Sequence, residues 1–152
     1  MKEEYYTFYD YMKQSNLTAS EEDYLEMVYR LFINAEADIR VNEIAKALNI
    51  KAPSVTNMMR KLNDKKLIVY ERYGKVRLTT TGEKIAKFLY DRHKIIYNFL
   101  DIIGVEKNQL EETEKIEHMI SHETVECFRQ LICFFEVYPE SYEKYQDMKK
   151  RQ

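Results

Sequence analysis

Three glycines and two prolines are all that this 152-residue chain offers for sharp reversals of direction. So few turn residues leave little room for hairpins, and a mostly helical fold is expected. The 45% hydrophobic content is enough to bury a core without covalent staples. The length fits one compact domain or two small lobes sharing a core. No apolar run approaches the ~20 residues needed to span a bilayer. The N-terminal run MKEEYYTFYDYMKQ is acidic and aromatic, unlike a secretory signal, so a cytoplasmic protein is expected. Cys127 and Cys133 are the only cysteines. On one helix they would face different ways, and neither belongs to a CxxC pair, so neither a disulfide between them nor a thiolate zinc site is expected. Both read as packing residues.

Residues 1–19 form a tyrosine-rich extension, read as an extra helix or a partly ordered arm. Ser20, with Asp23 three residues later, resembles an N-cap and its reciprocal acid, opening a helix that runs to about Asn34. VNEIAKALNI (41–50) is a short amphipathic helix with Val41, Ile44, Ala45 and Leu48 on one face. Ala52-Pro53-Ser54 marks a turn, and Pro53 suits the first position of a second helix over 53–64. Residues 67–70 and 75–78 read as two short strands around the turn ERYG. Thr80 or Thr81 can cap a long helix that ends near Gly104, a C′ residue. A further long helix is expected from about Lys107 to Glu136, with Ile116, Ile120, Cys127, Leu131 and Phe134 at heptad-like spacing. Pro139 interrupts it, and a final polar helix follows.

Charge is distributed unevenly along the chain. Residues 41–79 carry nine Lys or Arg against three acids, whereas residues 105–140 carry nine acids against three bases. Residues 1–40 are acidic as well, with nine acids against four bases. A polyanion would therefore be met through the central segment alone. Helix, tight turn, helix and two-stranded hairpin is also the order of a winged helix-turn-helix. In such a unit the second helix enters the major groove. Its early residues here are Ser54, Thr56, Asn57 and Arg60, with Lys61 in reach of phosphate. Asn and Arg suit adenine and guanine edges, and Ser and Thr serve bases or backbone. Arg72, Lys75 and Arg77 on the hairpin suit an adjacent backbone or minor groove. The competing reading is a solvated basic face used for protein contacts.

Six side chains of metal-ligand type lie in three short stretches: Asp23 and Glu26, then His93, then Glu114, Glu117 and His118. On helices the i, i+3 and i, i+4 spacings put each group on one face. Taken singly, each has a plainer reading. Asp23 and Glu26 are acids near a helix start, Glu114 and Glu117 an exposed acidic face, and His93 a core histidine flanking the apolar stripe of Leu89 and Ile96. His118 is ambiguous, and His122 reads as a surface residue. Carboxylates and imidazoles without thiols suit Mn²⁺, Fe²⁺ or Zn²⁺, and four carboxylates with two imidazoles exceed the needs of one tetrahedral ion.

The runs EEDYLEMVYRL, VNEIAKALNIKAPSVTNMMRKL, YGKVRLTTTGEKIA, RHKIIYNFLDIIGV and EKIEHMIS, in that order, resemble the DtxR/MntR family of metal-dependent repressors, and most closely its manganese-responsive branch. The resemblance covers about residues 20–135. It implies that Asp23, Glu26, His93, Glu114, Glu117 and His118 are the metal ligands. Iron-responsive members carry Met at the position of Glu26 and Cys at that of Glu114. Carboxylate in place of soft sulfur favours Mn²⁺. Iron-type members also continue into an SH3-like domain, for which this chain is too short. The resemblance further implies a winged helix-turn-helix over 20–79 and a helical metal-binding and dimerisation domain over 80–152. A homodimer would bind palindromic operator DNA when two Mn²⁺ per chain are held, with Fe²⁺, Zn²⁺ or Cd²⁺ able to substitute. No membrane and no small organic ligand is expected as a partner. Two other functions compete. A metal-independent regulator of MarR type shares the winged helix and long dimerisation helices. A carboxylate-bridged dimetal enzyme presents a Glu-x-x-His motif from each of two helices, whereas this chain has only Glu114-x-x-Glu117-His118 and no second such run.

Overall fold

The computed structural model describes Met12, residues 16–35 and residues 38–151. Most of the tyrosine-rich extension expected over 1–19 lies outside the described residues. The chain divides into two compact units, residues 1–91 and 92–152. The division into compact units falls inside a long helix. Ile85, Ala86 and Leu89 on the first half of that helix are buried in the core of the first unit. Among the described residues, no helix is long and apolar enough to cross a membrane.

The first unit opens with α1 (Ala19–Asn34). Its cap is Thr18 rather than Ser20. The Thr18 hydroxyl accepts from the Glu21 N–H at 3.2 Å, and the Glu21 carboxylate accepts from the Thr18 N–H at 2.9 Å. Glu21 reaches back far enough to close this box, and Lys65 holds the same carboxylate at 2.8 Å. A two-residue strand, β1 (Ile39–Arg40), runs into α2 (Val41–Leu48), which ends at Asn49 in the left-handed region (φ 53°). Asn tolerates that conformation better than most residues, so it can stop the helix without glycine. After a short turn comes α3 (Ala52–Asp64), with Pro53 in its first turn. Strands β2 (Ile68–Tyr70) and β3 (Lys75–Leu78) pair antiparallel, with Val69 opposite Arg77.

The sheet has three strands in the order β1-β3-β2, not the expected two, because Ile39 pairs with Val76. The wing turn between β2 and β3 places Tyr73 at φ 65° and Gly74 at φ 75°. Leu25, Val28, Ile44, Val55, Met59, Leu62, Ile68 and Val76 are at most 1% exposed and make one continuous core. Together these elements form the expected winged helix-turn-helix.

The long helix α4 (Thr80–Ile103) is capped by Thr79, one residue earlier than expected. The Thr79 hydroxyl accepts from the Gly82 N–H at 3.0 Å and donates to the Leu67 carbonyl at 3.0 Å, so one side chain fixes both the helix start and the end of the preceding loop. Gly104 ends α4 at φ 88°, as its C′ position required.

The second unit contains the rest of α4, then α5 (Gln109–Glu117), α6 (His122–Val137) and α7 (Pro139–Lys150). The single helix expected over 107–136 is therefore two. Ser121 breaks it, accepting from the Thr124 N–H at 3.2 Å and capping α6. Ile116 and Ile120 consequently leave the helix that carries Cys127, Leu131 and Phe134. Ile96, Leu100 and Val125 form the core of this unit, with Phe99 stacked on Phe128 at 3.8 Å between ring centroids. Cys127 and Cys133 are exposed thiols, not packing residues, because α6 buries only His122 and Val125.

Candidate functional site

The solvent-facing side of α3 follows from its period. Val55, Met59 and Leu62 recur one turn apart and are fully buried, which turns Ser54, Asn57, Arg60 and Lys61 to solvent. Thr56 is half-buried. Asn63 at the end of α3 accepts from the Tyr70 N–H at 3.0 Å and so ties the reading helix to the wing.

The wing cations are not all displayed as the sequence implied. Arg72 is exposed. Lys75 is half-buried and bound to Asp38 at 2.5 Å, and Arg77 is bound to Glu71 at 2.5 Å. The hydrogen bond and positive charge of Lys75 hold the Asp38 carboxyl below its ordinary range. Asp38 and Glu71 thus act as internal counter-ions on Lys75 and Arg77. Asp38 precedes β1 and Glu71 opens the wing turn between β2 and β3, but nothing in the sequence paired them with these cations.

In the second unit, α4 and α5 bring three of the six ligand-type residues together. His93 Nδ1 lies 2.8 Å from Glu117 Oε2, and His118 Nε2 lies 3.6 Å from Glu117 Oε1. His93 and Glu117 are 7% and 2% exposed, a depth at which a carboxylate and an imidazole must be mutually satisfied or hold an ion. The Gln109 side chain donates to the Tyr97 carbonyl at 2.9 Å and fastens the start of α5 to α4. The His93 ring lies nearly parallel to that of Tyr97, one turn along α4, with 6.5 Å between ring centroids.

These donor spacings fit a divalent cation. Two ligands each ~2.1 Å from an ion are ~3.0 Å apart in an octahedral arrangement and ~3.4 Å apart in a tetrahedral one. The His93–Glu117 and His118–Glu117 pairs, at 2.8 and 3.6 Å on opposite oxygens of one carboxylate, each lie near those values. The donors are nitrogen and oxygen, since both thiols lie exposed on α6.

The other three ligand-type residues are placed differently. Glu114 is on the exposed side of α5. In the first unit, α1 carries Asp23 exposed and Glu26 buried. The Glu26 carboxylate accepts from Arg30 Nε at 2.9 Å. Sequence reasoning missed Arg30, although its i, i+4 relation to Glu26 was there to read. His122, read as a surface residue, is 7% exposed at the start of α6.

Comparison with known proteins agrees with this division of labour. Residues 16–76 match the family model described as iron dependent repressor, N-terminal DNA binding domain. Residues 79–145 match the one described as iron dependent repressor, metal binding and dimerisation domain. Among similar solved structures is the manganese regulator SloR, 29% identical, over 75% of this chain and 54% of that one, with a TM-score of 0.64. ScaR with bound Zn²⁺ is 34% identical over 75% of this chain and 54% of that one, with a TM-score of 0.61. The metal-dependent transcriptional regulator MtsR is 26% identical over 78% of this chain and 55% of that one, with a TM-score of 0.68. The chain spans about half the length of each of these relatives. With both models matched in order along nearly its whole length, this chain belongs to the iron-dependent repressor family.

Proposed function

We propose that this chain is a manganese-responsive transcriptional regulator of cytoplasmic DNA. In this reading it binds palindromic operators as a homodimer and represses manganese uptake when metal is held. The observation that carries the reading is the His93–Glu117–His118 cluster, buried at His93 and Glu117 and half-buried at His118, whose nitrogen and oxygen spacings suit a divalent ion. Asp23 and Glu26 from the first unit and Glu114 from α5 complete the proposed ligand set, with two ions per chain. Carboxylate at both Glu26 and Glu114 supports Mn²⁺ over softer ions. So do the descriptions of SloR as a manganese regulator and of ScaR as a manganese-activated repressor. ScaR has also been solved with Zn²⁺ and with Cd²⁺, which supports these ions as substitutes.

The chain's own residues do the rest. Four carboxylates gathered for one purpose repel one another, and α1 carries two of them into the same unit as the reading helix α3. Bound divalent metal supplies the positive charge that lets them converge. Asp23 and Glu26 then restrict the orientations open to α3, and those that remain suit the spacing of two half-sites. Leu131, Phe134 and Val137 on α6 are 40%, 45% and 67% exposed, an apolar face that supports pairing with a second copy.

The test is a Mn²⁺ titration of metal-free protein followed by electron paramagnetic resonance, with Asp23→Ala alongside. Wild type should take up two spin-coupled ions per chain, and Asp23→Ala should lose metal-stimulated operator binding while keeping its helical circular dichroism. Metal-dependent repression by Asp23→Ala would remove Asp23 from the site, and no saturable binding by wild type would remove the metal reading.

A further inference from the structure

Glu26 is buried, yet it already has a cation. Arg30, one turn along α1, directs two N–H groups at the same oxygen: Nε at 2.9 Å and a terminal nitrogen at 2.5 Å from Glu26 Oε1. The carboxylate side chain is 8% exposed and the arginine 33%, so water screens the pair only partly. A second contact holds the guanidinium in place. Its central carbon lies 5.7 Å from the centroid of the Tyr90 ring on α4, a cation–π distance. Tyr90 in turn packs against Tyr29, 5.6 Å away, on the face of α1 that enters the core. All four residues belong to the first unit. The arginine is thus positioned by an aromatic pair and not left to sample solvent.

We propose that Arg30 is a resident counter-cation on Glu26 that sets the threshold for metal binding. The inference rests on the reading of Glu26 as a metal ligand. A metal ion that engages Glu26 meets a carboxylate whose Oε1 is committed to two charge-assisted hydrogen bonds. The guanidinium must then withdraw from it or share it with a second positive charge. Either course weakens apparent affinity by the factor by which the Arg30 pair is favoured over its open form. The pair also has a use in the metal-free protein. It neutralises a buried carboxylate in the first unit, so α1 stays packed before metal arrives. Arg30 would thus be an affinity-determining residue that is not itself a ligand.

The sign of one substitution separates this from a supporting role. If Arg30 competes, Arg30→Met, which keeps an apolar stem beside Tyr90, should tighten Mn²⁺ binding by about five- to tenfold for the ion that uses Glu26. Arg30→Lys, which keeps the charge, should stay within about threefold of wild type. In a Glu26→Gln background Arg30→Met should have no effect on Mn²⁺ affinity, because the guarded carboxylate is gone. The measurement is calorimetric Mn²⁺ titration of the full chain, with circular dichroism confirming that each variant is folded. A direct readout comes from the Arg30 Nε–H resonance, which should move when diamagnetic Cd²⁺ is added to wild type and stay put in Glu26→Gln. Equal or weaker Mn²⁺ binding by Arg30→Met, beside a wild type that binds normally, would overturn the counter-cation role alone. A wild type that binds no Mn²⁺ would overturn it together with the metal site.

Discussion

A methyl group added at Gly82 would lie 1.7 Å from the Leu67 carbonyl oxygen, and one added at Gly104 would lie 1.7 Å from the Lys149 ammonium. The two distances are equal but their consequences are not. Leu67 is backbone, held by the Thr79 hydroxyl and the Thr79 N–H, so it cannot step aside. Lys149 is the far end of a flexible side chain. Gly82→Ala should therefore destabilise the protein by about 2–3 kcal/mol or more, through forced displacement of well-packed backbone. Gly104→Ala should cost about 1 kcal/mol, mainly from its left-handed φ of 88°. Urea unfolding of the two variants would rank them, and the reverse order would contradict the account of α4's start. Gly104 was legible in the sequence because it closes an apolar helix. The need for Gly82 was not, since it arises from a carbonyl fifteen positions earlier in the chain.

Elements with strong periodicity were recovered from the sequence almost to the residue. The helix pair α2 and α3 and the strands of the wing are where apolar spacing and turn residues put them, and a polar helix of no stated length is expected where α7 lies. The errors have a common cause, because each depended on a partner distant in sequence or on competition between equal local signals. Thr18 and Ser20 are both good caps, and the reach of Glu21 with its bond to Lys65 decides between them. Strand β1 has only two residues, too short to show alternation, and exists because β3 offers it an edge. The apolar spacing through 116–134 concealed the break at Ser121.

The wing gives this scale its test. Asp38 and Glu71 occupy Lys75 and Arg77, so removing an acid should release a cation toward DNA. Asp38→Asn and Glu71→Gln should each tighten binding to non-specific duplex DNA. Each should also steepen the logarithmic salt dependence by about one unit per cation that newly reaches phosphate. Fluorescence anisotropy across a salt series measures both, and an unchanged slope would mean that the wing does not touch the backbone.

At the scale of the whole molecule, the uneven charge pattern and the order of motifs revealed the division of labour. The candidate site was legible only in part. His93, Glu117 and His118 meet because α5 is fastened to α4, which no spacing along the chain could announce. Glu114 shares a helix face with Glu117 by its i, i+3 spacing and yet lies exposed. Chelation is the corresponding test. Stripping metal should lower operator affinity by about 5- to 150-fold, the range of ordinary coupling between two sites, and restoring Mn²⁺ should recover it. An affinity indifferent to chelator would leave a winged-helix regulator with some other signal.

One helix belongs to both cores. Leu89 is sealed in the first and Ile96 in the second, seven residues apart on the uninterrupted rod of α4. Each half of α4 is therefore held by the core it packs into rather than by helix propensity alone.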